Sequence, residues 1–79
     1  MYAFTKSLKK AHHVRRYTIQ TTPTGWEVKQ EQDSQVLRQT CYQDWHRVER
    51  ARRAFVVEMI NLRQEGWQDV QEQGVGPTE

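Results

Sequence analysis

The chain has 79 residues, of which 35% are hydrophobic and 28% charged, and its formal net charge is +2. This length allows one domain with a thin core, since so small a chain buries only about 60% of the surface that it exposes when unfolded. The single cysteine, Cys41, excludes an intramolecular disulfide and favours a reducing, cytoplasmic location. No apolar run approaches the roughly 18 residues that span a bilayer, so no membrane partner is expected.

The charge is distributed unevenly along the chain. Residues 1–26 carry five basic and no acidic side chains, whereas residues 65–79 carry four acidic and no basic ones. Such asymmetry is typical of an interaction arm or of a head-to-tail electrostatic preference, although two solvated tails would have the same composition.

In chain order, the first predicted segment is a flexible basic arm over residues 1–12, where hydrophobic periodicity is weak. Three strands follow at about 14–21, 26–31 and 35–42, because β-branched and aromatic residues alternate there with polar ones between turn-forming residues. The buried face of the third strand stays ambiguous, since apolar residues occupy both of its faces.

A long helix comes next. Asp44 is a good N-cap, no Pro or Gly occurs from Trp45 to Glu65, and Gly66 stands where a glycine typically ends a helix. Residues 67–79 predict a polar, acidic tail. The expected fold class is therefore α+β: a three-stranded antiparallel β-meander followed by one long α-helix packed on one face of the sheet (βββα).

The helix has more apolar surface than a three-stranded sheet can cover. On a helical projection Phe55 and its apolar neighbours form the stripe facing the sheet, and Val56 and Ile60 extend the apolar arc beyond it. With Trp67 nearby, these residues predict a self-interface and hence a homodimer. The alternative is that the apolar residues of the arm fold back over this surface.

The opposite side of the helix carries Arg47, Arg50 and Arg53, with His46 adjacent. This spacing predicts a basic ridge about two turns long that suits phosphate or carboxylate partners. A charged stripe is also the ordinary solvated face of an amphipathic helix, and that interpretation stays open.

Catalytic patterns are absent from the sequence. There is no glycine-rich phosphate loop, and the neighbouring Cys41, Asp44 and His46 match no established metal spacing. A Cys41–His46 nucleophile pair would lack an orienting third group. We therefore expect no enzymatic activity, no cofactor and no metal site.

The leading hypothesis is a small non-enzymatic nucleic-acid-binding or regulatory module that acts through basic residues as a dimer. The predicted phosphate contacts are Lys6, Lys9, Lys10, Arg15, Arg16, Lys29 and Arg38. The alternative is a protein-interaction or adaptor module that uses the surplus apolar face of the helix and binds no nucleic acid.

Overall fold

A computed structural model describes residues 3–70, which form one antiparallel sheet of five strands and a single long helix. The elements are β1 (Ala3–Lys10), β2 (His13–Thr22), β3 (Gly25–Gln32), β4 (Gln35–Tyr42), α1 (Trp45–Gln64) and β5 (Gln68–Val70). The strand order is β4-β3-β2-β1-β5, so the first four strands form a meander and β5 returns to the edge beside β1. The prediction of an α+β fold with a long helix is confirmed.

The prediction of a three-stranded sheet with a flexible N-terminal arm is wrong. Residues 3–10 form β1, which pairs with β2 along its whole length, from Ala3 opposite Gln20 to Lys10 opposite His13. Leu8 of this strand is fully buried. The strand has few apolar residues among its lysines, so the alternation of apolar and polar residues that predicts a strand is weak. Pairing with the neighbouring strands stabilises β1 although its own residues have little strand propensity.

The prediction of an unstructured acidic tail is also wrong at its start. Gln68–Val70 pair antiparallel with Ser7–Lys9 as β5, and Trp67 is half-buried. Three residues are too short a strand to leave a periodic signal. The rest of the predicted tail, residues 71–79, lies outside the described residues.

Side-chain contacts of Asp33 hold the β3–β4 turn against the start of β2. Asp33 and Ser34 have φ values of 53° and 69°, the left-handed pair that a type I′ hairpin turn requires. The Asp33 carboxylate accepts a hydrogen bond from the Val14 backbone N–H at 2.9 Å and lies 2.8 Å from Nδ1 of His13. These two contacts, the histidine first, hold the pKa of the Asp33 carboxyl below its ordinary value. The ionised carboxylate therefore stabilises the turn.

Gly25 is required where β3 begins beside the end of β4. Its φ is 155°, and a Cβ at this position would collide with the carbonyl oxygen of Tyr42. The backbone of Tyr42 therefore faces β3, and a side chain at position 25 would force the two strands apart.

The helix is capped at both ends by local contacts. The Asp44 side chain accepts a hydrogen bond from the backbone N–H of His46 at 3.0 Å, which satisfies a free donor of the first turn. At the other end, the chain turns at Gly66, with φ 105°, and Lys10 Nζ donates to the carbonyl oxygen of Glu65 at 2.7 Å. A cation at this end also complements the helix dipole.

The core lies between α1 and one face of the sheet. Its buried residues are Leu8, Tyr17, Ile19, Val28, Val48, Phe55, Met59 and Leu62. The helix lies mainly over β2, β3 and β4, and the rings of Tyr17 and Phe55 meet with centroids 4.7 Å apart. The other side of the sheet, called the open face below, carries no helix among residues 3–70. Within the same residues no helix is long and apolar enough to cross a membrane.

Candidate nucleic-acid interface

The seven basic residues predicted to contact phosphates lie on two different faces of the sheet. Tyr17 and Ile19 are buried against the helix, and strand alternation together with the pairing register then assigns every other residue to a face. Those on the open face are Lys9, Arg16 and Lys29. Those on the helix side are Lys6, Lys10, Arg15 and Arg38. The fold therefore does not bring the predicted set together as one surface.

The open-face cations form a diagonal row that is diluted by acids. Lys29 is paired with Thr18, two residues from Arg16, and neighbours related in this way lie about 7–8 Å apart. Lys9 continues the row on β1. Glu31, however, lies directly opposite Arg16 on β3. The open face is thus of mixed charge.

Two of the helix-side cations are used by the fold itself. Lys10 binds the carbonyl at the helix C-terminus, as described above. Arg15 is only 19% exposed and donates to Glu58 at 2.9 Å and to Gln32 at 2.6 Å and 3.1 Å. These contacts join the helix to β2 and β3. Binding of nucleic acid by Arg15 would require breaking them.

Two aromatic residues, Trp67 and Tyr17, also lie next to Arg15 and form a cluster with it, Glu58 and Gln32. The guanidinium carbon of Arg15 lies 5.8 Å from the ring centroid of Trp67, a cation–π distance. The Tyr17 hydroxyl is buried and has no hydrogen-bond partner of good geometry among residues 3–70. Burial is the main cause that raises the pKa of Tyr17, to which the nearby charge of Glu58 adds. The cluster is therefore a packed polar layer at the margin of the core.

The predicted basic ridge lies on the outer surface of α1. Arg47, Arg50 and Arg53 are all exposed, as is His46. Within residues 3–70, Arg47 and Arg50 form no ion pair. Arg53 is 75% exposed and lies 3.7 Å from the carboxylate of Glu49. The same carboxylate lies closer to Arg52, at 3.2 Å. The ridge thus keeps most of its positive charge.

The position of Arg47 is unfavourable for the helix. The first turn of α1 contains no acidic residue, and a cation there opposes the positive end of the helix dipole. Helix stability therefore does not explain why an arginine occupies position 47. Local rules are broken in this way at functional or strained sites.

Arg38 of β4 is a further exposed arginine, on the side of the sheet that the helix covers. It lies on the helix side of β4 and, within residues 3–70, forms no ion pair. Arg47 lines a shallow groove of about 380 Å³ together with Cys41 and Tyr42, which belong to the same strand. We call the four residues Arg38, Arg47, Arg50 and Arg53 the arginine surface. The sequence showed the helical spacing of three of them, but not that β4 lies beside the helix.

The predicted self-interface of Val56, Ile60 and Trp67 stays a prediction. Val56 and Trp67 are half-buried against the core of their own chain, whereas Ile60 is 45% exposed. Val57, which was not among the predicted interface residues, is 57% exposed and follows the arginines on the outer surface of α1. Val57 and Ile60 together form an exposed apolar patch, called the helix patch below.

Comparisons with known proteins add no assignment: no family model, no curated protein and no solved structure matches this chain. Across residues 3–70, no three or more His, Cys, Asp or Glu side chains come together in a way that could hold a metal ion.

Proposed function

We propose that this chain is a small, non-enzymatic module that binds nucleic acid by its phosphate backbone through the arginine surface. The observation that supports this most directly is that Arg38, Arg47 and Arg50 form no ion pair within residues 3–70. Arginine forks match phosphate geometry and are weakly hydrated, so exposed arginines favour this class of partner over others.

The layout of the surface favours a polymer over a small anion. Arg47 and Arg53 are six residues apart, which is about 9 Å along a helix axis, and Arg38 adds a further point on β4. Guanidinium groups that project outward from a convex helix do not converge on one small ligand. A chain of phosphates offers repeated charges along its length, and several such contacts release counterions together.

The remaining cations add a weaker, long-range electrostatic attraction for polyanions. Lys6, Lys9 and Lys29 are on other surfaces of the domain, and acids accompany the open-face pair. They raise the general attraction for polyanions. Since Cys41 is an exposed free thiol, we place the protein in a reducing compartment such as the cytoplasm. We also propose that it acts as a homodimer.

The test measures binding to labelled DNA and RNA of mixed sequence at a series of salt concentrations, with fluorescence anisotropy as the readout. We compare the wild-type chain with a triple variant, Arg47→Gln, Arg50→Gln and Arg53→Gln. The matched control is Lys6→Gln, Lys9→Gln and Lys29→Gln, which removes the same charge from other surfaces. The arginine variant should lose affinity for all sequences alike, and its salt slope should flatten by about 2 to 3 units on duplex DNA.

The control triple variant should lose less affinity and keep most of its salt slope. Equal losses in both variants would show that net charge alone drives binding and would overturn the role of the arginine surface. If the wild-type chain binds neither DNA nor RNA at low salt, where electrostatic attraction is strongest, the proposed function is wrong.

A second function is favoured by the helix patch. Val57 and Ile60 are exposed apolar residues next to the arginines, a combination that suits a partner protein with an apolar centre and an acidic rim. In that case Ile60→Asp abolishes capture of the partner, and nucleic acid does not compete for it.

A further inference from the structure

β4 is an edge strand with free backbone groups. It pairs with β3 on one side, and no strand lies on its other side within residues 3–70. Successive residues of an antiparallel strand point their N–H and C=O groups to opposite neighbours. Because the backbone of Tyr42 faces β3 across Gly25, the backbone groups of Cys41 and Gln39 point outward.

The two edges of the sheet are protected very differently. On the other edge, β5 covers Ser7–Lys9 of a strand that also carries Lys6 and Lys10. β4 reads QVLRQTCY, with no lysine, proline or acid to discourage a second strand. Val36 and Leu37 are 51% and 53% exposed at this edge. Apart from Arg38 and the irregularity described next, this edge therefore carries little that would prevent a second strand from pairing.

An irregularity in β4 limits which residues can pair. The register with β3 shifts between Gln30 and Glu31, opposite Leu37, so the regular part of β4 runs from Arg38 to Tyr42. A partner strand must therefore match these five positions.

We propose that β4 pairs antiparallel with β4 of a second copy of this chain, about a twofold axis at Thr40. Three side-chain pairings follow: Thr40 faces Thr40 of the second copy, Arg38 faces its Tyr42, and Gln39 faces its Cys41. In each pair both residues lie on the same face of the sheet, as a continuous sheet requires.

This register satisfies the free backbone groups of the regular segment. Gln39 and Cys41 point outward, so each forms a hydrogen-bonded pair with its partner across the axis, and each such pair exchanges two N–H···O bonds. No like charges lie opposite each other, because Arg38 meets a tyrosine. The segment is thus complementary to itself, as a twofold interface must be.

Pairing of this kind places Arg38 of both copies on the same face of one continuous sheet. A twofold axis perpendicular to the sheet keeps both helices on one face of a ten-stranded sheet. The two β3 strands are then three strand spacings, or about 14 Å, apart. Helices lying mainly over these strands are too distant for the usual packing separation of about 8–10 Å. A cleft therefore runs between the helices, with Arg38 of each copy on its floor; its use as a phosphate-binding cleft rests on the proposed function.

The first test of the dimer is sedimentation of the full chain. The wild type should sediment as a dimer and Gln39→Pro as a folded monomer, because the N–H that proline removes points to solvent in a single chain. Ile60→Asp, which alters the helix patch, is the matched control and should remain dimeric. A wild-type monomer at high concentration overturns the proposal, as does a dimer that Ile60→Asp dissociates and Gln39→Pro does not.

The second test does not depend on how proline is tolerated. In a Cys41→Ser background, Thr40→Cys places two thiols across the axis at a non-hydrogen-bonded pair, where Cα atoms are about 4.5 Å apart and a disulfide fits. Oxidised glutathione should crosslink this variant, and the control Val57→Cys in the same background should stay uncrosslinked. Crosslinking of the control alone would place the dimer at the helix patch and overturn the proposal.

The dimer and the proposed function fail independently. A Thr40→Cys dimer that binds no DNA or RNA leaves the strand pairing intact and removes the nucleic-acid assignment. If both hold, Gln39→Pro should weaken binding at least tenfold, since each copy then offers only one side of the cleft.

Discussion

The basic residues of the N-terminal strands and the arginines on the outer surface of the helix carry the same charge in different settings. Lys10 and Arg15 are bound to a carbonyl oxygen and to Glu58 of their own chain. Arg47 and Arg50 form no ion pair within residues 3–70. Residues 1–26 contain no acidic side chain, yet at least two of their five cations are held by contacts of the fold, whereas Arg47 and Arg50 are not within the described residues.

The difference shows that the number of charges in a segment does not determine how many can bind a partner. A guanidinium that is paired with a carboxylate must lose that contact before it binds a phosphate. This loss offsets part of the binding free energy that the phosphate contact contributes. An exposed arginine gives up only water and side-chain freedom. The following predictions test this contrast, beginning with the largest expected effect.

Leu8→Ala should lower the free energy of unfolding by about 3 kcal/mol, because this fully buried side chain leaves a cavity between β1 and the helix. Chemical denaturation measures the change. Lys9→Ala, its exposed neighbour, is the control and should stay within about 0.5 kcal/mol of wild type. Equal stability of wild type and Leu8→Ala would mean that the N-terminal segment is an arm after all.

Arg15→Met should lower the free energy of unfolding by about 2 kcal/mol, since Glu58 and Gln32 lose their donor in a partly buried setting. Arg50→Met, the same substitution on the arginine surface, should change it by less than about 0.5 kcal/mol. Denaturant titrations of the two variants compare these values directly. If they were equally destabilised, the distinction between structural and available cations would be lost.

Asp44→Ala should lower the free energy of unfolding by about 1 kcal/mol, because the backbone N–H of His46 loses its acceptor. Asp44→Asn keeps an acceptor and should stay close to wild type. Thermal unfolding followed by circular dichroism measures both. The cap also positions Arg47 in the first turn, so an unaffected melting temperature would indicate that the helix and its arginines begin elsewhere.

Asp33 should contribute a small pH dependence. Its pKa is lower in the folded protein than its ordinary value of 3.8, so its stabilising effect is complete above that value and is lost as pH falls through the folded pKa. Asp33→Asn tolerates the positive φ of this turn and should lose less stability on acidification from about pH 5 to pH 2. Denaturation midpoints across this range measure the difference, and parallel pH profiles would contradict it.

The elements that sequence reasoning found are those with local signals. Asp44 and Gly66 mark the ends of the helix, and turn-forming residues such as Asp33 separate the strands of the meander. The helical spacing of Arg47, Arg50 and Arg53 likewise follows from the sequence once the helix is recognised. Helix caps, tight turns and helical faces depend on residues a few positions apart, so a single sequence contains the relevant pattern.

Tertiary structure alone decided the rest. β1 and β5 exist because each pairs with residues far away in the chain, and neither Leu8 among lysines nor the short segment Gln68–Val70 has an apolar pattern strong enough to predict a strand. The partners of Arg15 and the face of the sheet on which Arg38 lies also depend on which strands become neighbours. Strand propensity expresses how well a side chain fits its neighbours in the sheet, and those neighbours are set by the whole fold.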